Sequence, residues 1–357
     1  MKNACIVLRD NRVLSDGADF LPVLTALTEG GYPQDKIFLL NERDSREFAQ
    51  TFVECKNFFE NLFIFVPQDS LGAVRSQAAE LLKCEPAPVM ETGQKSCFVF
   101  PSGREGERAV RAEILPNLEK KYGGDTVRAV FRCVGAPQER AEAVLTEIKH
   151  RGEGAFDAVY SETFGDGRLE LRYSAQTPAR DADELLRFCT AGLNDYLYAL
   201  DDTPLHMRVA ELLKLRGKKL CVAESFTGGG VTRRLVSVPG VSEVLEEGIV
   251  AYANEAKMRR LGVRGETLVT HGAVSDETAY EMAAGLIAAG KCNVSVATTG
   301  IAGPSSDGSR KPVGLCYIAV GTPESVYVYK YLFGGDREEI TERAINQALF
   351  LLYKNIR

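Results

Sequence analysis

The sequence predicts an α/β protein built from three successive parts, and three observations predict it. Residues 1–125 alternate short apolar runs with helical stretches, the pattern of a parallel sheet covered on both faces. Residues 126–202 change to strand, helix, strand, strand, helix, with Gly165-Asp166-Gly167 as a hairpin signal between the paired strands: a small α+β module. Residues 203–357 return to α/β alternation around a glycine loop, Ala223-Glu224-Ser225-Phe226-Thr227-Gly228-Gly229-Gly230.

In the first part the strands fall at 3–8, 36–40, 62–66 and 97–100, with helices at 18–30, 44–60, 69–84 and 104–121. Gly123-Gly124 marks a break. In the module the strands are 127–133, 156–162 and 168–174, the helices 137–149 and 180–195, and Asp201-Asp202-Thr203-Pro204 marks the exit. The last part opens with a helix after Thr203-Pro204. Strand 218–223 feeds the glycine loop and helix 229–237. Past Pro239-Gly240 come a helical turn, strand 248–253, a helix from Asn254, helix 275–289 and strand 293–299. Strands 313–320 and 325–333 and a final helix 336–355 complete the chain.

The 357 residues carry a net charge of −6, and no Lys/Arg cluster forms a nucleic-acid stripe. The longest apolar runs are strand-sized, so neither a membrane span nor a signal peptide is expected. Nine cysteines without a C-x-x-C pair point to a reducing, cytoplasmic setting, with no disulfides and no zinc.

Three elements carry chemistry. The glycine loop ends a strand and opens a helix, where unpaired N–H groups suit an anion. Ser225, Thr227, Gly228 and Gly229 are then substrate-binding candidates, with a plain structural turn as the alternative. The stretch holding Ser242, Tyr252, Asn254 and Lys257 offers a hydroxyl with an amine base. Ten residues of continuous strand would separate Ser242 from Tyr252 by ~33 Å. The expectation is instead that V-L-E-E turns and the strand returns toward Ser242. The alternative is a serine acting as helix cap and a solvated lysine. The loop Thr298-Thr299-Gly300-Ile301-Ala302-Gly303-Pro304 follows a buried strand. Thr299, Gly300, Ala302 and Gly303 offer hydroxyl and amide donors, or else simply a turn. Asp336 is a helix cap, and Arg337 beside it is a candidate partner for phosphate. Glu224 and Asp307 are the carboxylates considered as metal ligands. They form no cluster, so no metal and no cofactor is expected.

Taken together, A-E-S-x-T-G-G, P-G-x-S-x-V, G-I-V-A-Y-A-N-E-A-K, L-G-V, H-G-A-V-S, T-G-I-A-G-P, K-P-V-G and F-G-G-D-R resemble the C-terminal domain of the CinA (competence/damage-inducible protein) family, in unbroken order over 204–357. The resemblance implies a nicotinamide-nucleotide amidase that converts nicotinamide mononucleotide to nicotinate mononucleotide and ammonia. Its serine–lysine dyad and assisting tyrosine would fall on Ser242, Lys257 and Tyr252, and a homodimer is expected. Phe226 stands where the family has cysteine, and Thr341 where an arginine is frequent. The family also implies an N-terminal molybdopterin-binding-like domain and a KH-like linker. Its glycine-rich loop is replaced here by Pro67-Gln68-Asp69-Ser70-Leu71-Gly72, and its early G-x-E-L-L-x-G element by residues 8–17. Loss of the metal-dependent ADP-ribose pyrophosphatase activity is therefore expected. That pyrophosphatase, or a non-catalytic nucleotide-binding scaffold, is the alternative function.

Overall fold

A computed structural model describes residues 2–9, 20–93, 95–122, 126–152, 156–305 and 310–357. The Gly123-Gly124 break, Asp307, the first residues of helix 18–30 and residues 10–17 of the early N-terminal element lie outside them. Contacts divide the chain into two compact units, Met1–Asp125 and Thr126–Arg357.

In the first unit β1 (Asn3–Arg9), β2 (Lys36–Asn41), β3 (Asn61–Val66), β4 (Val89–Thr92) and β5 (Lys95–Pro101) form one sheet in the order β2-β1-β3-β5-β4. The pairs β1–β2, β1–β3 and β3–β5 are parallel, while β4 returns antiparallel on β5. Alternate residues of a strand face opposite sides, so near-continuous apolar strands need two covers. Ala4, Ile6 and Leu8 meet Phe48 and Phe52 of α2 (Ser45–Phe58) and Val74 and Ala78 of α3 (Leu71–Leu82). Cys5, Val7, Phe63 and Phe65 meet Val23 and Leu27 of α1 (Leu21–Glu29). The same face is covered by α4 (Gly103–Ala109), which runs through a π-helical turn at Val110–Ile114 into α5 (Leu115–Tyr122).

The second unit opens with an antiparallel sheet, β7-β8-β6-β9, made of β6 (Thr126–Val134), β7 (Phe156–Thr163), β8 (Asp166–Ser174) and β9 (Leu197–Ala199). One face packs against α6 (Gln138–Gly152) and α7 (Ala179–Leu193) through Leu169, Leu171, Ile148 and Leu185. The β7–β8 turn is Phe164-Gly165, one residue earlier than the glycines suggest. Both residues have positive φ, 51° and 80°, the backbone a right-twisted two-residue hairpin requires.

After α8 (Leu205–Leu215) comes the mixed sheet β11-β10-β12-β13-β14. Its strands are β10 (Leu220–Glu224), β11 (Leu245–Val250), β12 (Val294–Gly300), β13 (Leu315–Gly321) and β14 (Val326–Leu332). The first three are parallel and the last two antiparallel. Core residues of α8, α9 (Gly230–Val236) and α13 (Arg337–Ile356) pack on one face. The other face carries α10 (Asn254–Leu261), α11 (Gly265–Thr270) and α12 (Asp276–Ala288). The α13 N-terminus is closed by a reciprocal capping box between Asp336 and Glu339. Asn346 of α13 donates 3.0 Å to the Phe164 carbonyl, tying the hairpin turn to the C-terminal helix.

One strand differs from its expectation in a way that matters for the site. Residues Leu245–Val250 form β11, whereas the sequence suggests 248–253 with a turn before it. L-E-E is the start of the strand: Leu245 and Glu247 stand in register beside Leu220 and Cys221. Among the described residues no helix is long and apolar enough to cross a membrane.

Candidate functional site

Parallel neighbours deliver their carboxyl ends to the same edge of a sheet, and here β10, β11 and β12 do so together. Ser225 follows β10 and continues its ladder, donating its N–H to the Thr298 carbonyl at 3.0 Å. Ala251 and Tyr252 follow β11, and Thr299 and Gly300 end β12. Ser225, Tyr252, Thr299 and Gly300 line a cleft of about 310 Å³ with Phe226, Lys257, Ile301, Ala302, Gly303 and Arg337.

Lys257 is the fourth residue of α10, and its side chain leans back toward the helix start. Only 1% of it is exposed. Its Nζ lies 2.8 Å from the Ala251 carbonyl, 3.0 Å from the Tyr252 carbonyl and 3.0 Å from Ser225 Oγ. Burial pushes the amine down to about 8. In the neutral amine two N–H bonds serve the two carbonyls, and the lone pair is left for the Ser225 hydroxyl proton. In the cation all three contacts are donated, and Ser225 Oγ accepts. The site therefore holds a lysine whose partners direct its lone pair at one serine.

That serine is not Ser242. Ser242 is exposed in the 3₁₀ turn Val241–Glu243, before the amino end of β11, whereas Lys257 sits past its carboxyl end. The six residues of β11 span about 20 Å, so the expected pairing of Ser242 with Lys257 is overturned. Asn254 is exposed at the first turn of α10 and is absent from the cleft wall.

The expected anion cradle is also corrected. Glu224, fully buried, accepts from the N–H groups of Gly229 (3.1 Å), Val231 (3.1 Å) and Thr232 (2.9 Å) and from Thr232 Oγ1 (2.7 Å). An internal carboxylate thus occupies the start of α9, where the sequence suggested a ligand phosphate. Gly228 and Gly229 do not line the cleft; their φ values of 59° and 95° shape the turn instead. Thr227 is buried with its hydroxyl 2.7 Å from Thr298 Oγ1. Glu224 is also committed as an acceptor, and among the described residues no three His, Cys, Asp or Glu side chains group in metal-binding reach.

The remaining expectations meet in one place. Thr299 Oγ1 donates 2.6 Å to the Ala273 carbonyl, closing the cleft floor. Arg337 is exposed at the rim, with Nη1 donating 2.5 Å to the Gly303 carbonyl. Tyr252, 65% exposed, stands at the mouth. The backbone N–H groups of Phe226, Ala302 and Gly303 make no hydrogen bond among the described residues, and all three residues line the cleft. Gly300 is required by close approach. A Cβ there would stand 2.6 Å from Cys316 Cβ and 2.9 Å from the Phe226 ring. Ser305 joins the wall, as do Ala273 and Val274 of H-G-A-V-S and Ile301 of T-G-I-A-G-P, none of them singled out as a site residue from the sequence.

The fold and site thus define an α/β protein with a serine–lysine pair at the carboxyl edge of a mixed sheet. Comparison with known proteins names the family: residues 202–356 match the model of the CinA C-terminal domain. A putative competence-damage inducible protein of Caldicellulosiruptor saccharolyticus is 35% identical over 274 residues, 76% of this chain and 67% of the relative. One from Caldicellulosiruptor bescii is 32% identical over 315 residues, 84% of this chain and 75% of the relative. Against one from Caldanaerobacter subterraneus (36% identical over 249 residues) the chain covers 60% of the relative's length. A solved competence/damage-inducible protein of Agrobacterium tumefaciens is 39% identical, covering 42% of this chain and 91% of that one, with a TM-score of 0.40. The chain belongs to the CinA family.

Proposed function

We propose that the second unit is an amidohydrolase working through an acyl-enzyme, with nicotinamide mononucleotide as substrate and Ser225 as nucleophile. The observation that carries this reading is the 3.0 Å contact between Lys257 Nζ and Ser225 Oγ, with the amine buried and its other contacts occupied by carbonyls. Lys257 Nζ takes the Ser225 proton as Oγ attacks the carboxamide carbon. The tetrahedral oxyanion is received by backbone N–H groups of the cleft, Phe226 first among them because it directly follows the nucleophile. The proton passes from Lys257 to the leaving nitrogen, ammonia departs and an ester remains on Ser225. Water then attacks the ester, Lys257 takes its proton and returns it to Ser225 Oγ, and the carboxylate product leaves.

Arg337 at the rim supplies the charge for the substrate's phosphate, and the glycine loop does not. The family resemblance supports the amidase product set, and the 3.0 Å distance supports Ser225 as the nucleophile. The test is ammonia release from nicotinamide mononucleotide by the purified chain, with and without a chelator. Turnover that survives chelation is expected, and no ammonia from an otherwise folded protein would overturn the proposal.

A further inference from the structure

The first unit contains a cavity that no step of the proposed chemistry uses. It holds about 230 Å³ and lies at the amino ends of β3 and β5, where α2 and α3 finish. Ligand crevices of open α/β sheets lie at the carboxyl ends of the strands, so this cavity is separate from the 67–72 turn that follows β3. Its floor is apolar and buried: Phe52, Leu62, Met90 and Cys97. Its mouth is basic, with Lys56, Lys83 and Lys95 facing a single acid, Glu60. Two of these ammonium groups close helix ends. Lys56 donates 2.9 Å to the Leu81 carbonyl, and Lys95 donates to the Lys56 and Asn57 carbonyls. Three lysines set against Glu60 and two helix C-termini of about half a charge each leave the mouth near +1.

Lys83 stands apart from the other two. It holds the left-handed C-cap of α3, φ 59° and ψ 48°, a position that favours glycine. Among the described residues its ammonium has no partner.

From this pairing of a greasy floor and a positive mouth we infer that the cavity binds a small amphipathic monoanion: a carboxylate carried on an aromatic or short aliphatic body of about a dozen non-hydrogen atoms. The body fills the space over Leu62 and Met90, and the carboxylate meets Lys83 and the spare N–H bonds of Lys56. The site belongs to the first unit and stands or falls independently of the amidase reading.

The probe is 3-phenylpropanoate, titrated into the full chain by calorimetry, with 3-phenylpropan-1-ol as its neutral counterpart. Saturable binding is expected with a dissociation constant of ~0.1–1 mM for a ligand of this size. The alcohol and the Lys83→Glu variant should each weaken binding at least ~5-fold, the usual effect of losing one charged contact. Met90→Trp, which fills the floor, should abolish it and leave ammonia release by the second unit unchanged. No saturation below about 10 mM, equal binding of the alcohol, or binding that survives Met90→Trp would overturn the inference. Should that variant not fold, amide shift mapping of the wild type decides. Shifts centred on Leu62, Leu82 and Met90 support the site, and shifts centred elsewhere sink it.

Discussion

Lysine 257 offers a test in which activity and stability must change together. Replacing it by methionine keeps most of its volume and removes the amine. Its amine sits at about 8, against 10.5 when unperturbed, because burial disfavours the cation. Only about a tenth of the molecules then hold it neutral at pH 7, and about nine tenths at pH 9. Turnover of the wild type should therefore climb about tenfold across that window and level off. The stability change has the opposite cause. Above pH ~10.5 the amine is neutral folded or unfolded and contributes nothing. As pH falls from there to 8, the unfolded chain binds a proton that the folded chain resists, so the wild type loses stability. Below 8 the loss is complete, about 3 kcal/mol at 1.36 kcal/mol per pH unit. The Lys257→Met variant has no such term. Denaturant unfolding near pH 7.5 and near pH 10 should show the wild type gaining about 2.5 kcal/mol on the variant at the higher pH. Turnover of the variant should be down ~10²–10⁴-fold throughout. A flat wild-type profile between pH 7 and 9, together with parallel stability curves, would refute the neutral-lysine base.

The choice of nucleophile is checked by two alanines: Ser225→Ala should lower turnover by at least ~10²-fold, and Ser242→Ala should leave both kinetic constants at wild-type values. Arg337→Ala should act mainly on the Michaelis constant, raising it by ~10–100-fold, the equivalent of a lost charged hydrogen bond. Glu224→Gln leaves one acceptor oxygen where the carboxylate serves four donors, so denaturant unfolding should show a loss of ~2–4 kcal/mol. In the first unit, residues 67–71 form a proline, a 3₁₀ turn and the start of α3 in place of a glycine-lined cradle. Metal-dependent hydrolysis of ADP-ribose is therefore expected to be absent, and AMP release that requires Mg²⁺ and residues 1–125 would show otherwise.

Much of the architecture is written locally. The strand at Asn61–Val66 is an apolar run between Asn61 and Pro67, and Val294–Gly300 is a β-branched and small-residue stretch that ends on glycine. The long α13 announces itself through Asp336 and a helical apolar period, because caps and periodicity act within a few residues. Short elements are less legible: β4, β9 and α11 bury too few side chains to leave a pattern. The residues of the site were visible singly, among them Lys257, Ser225, Tyr252, Thr299, Gly300 and Arg337. Their pairing was not. In the sequence Ser242 lies 15 positions from Lys257 and Ser225 lies 32, and spacing alone favours the nearer serine. The tertiary structure reverses this because β10 and β11 are parallel neighbours, so residues at their two carboxyl ends meet while the ends of one strand are held a strand's length apart. The glycine loop shows the same division. The sequence specifies a helix start with N–H groups able to hold an anion, and only the fold decides that the anion is the chain's own Glu224.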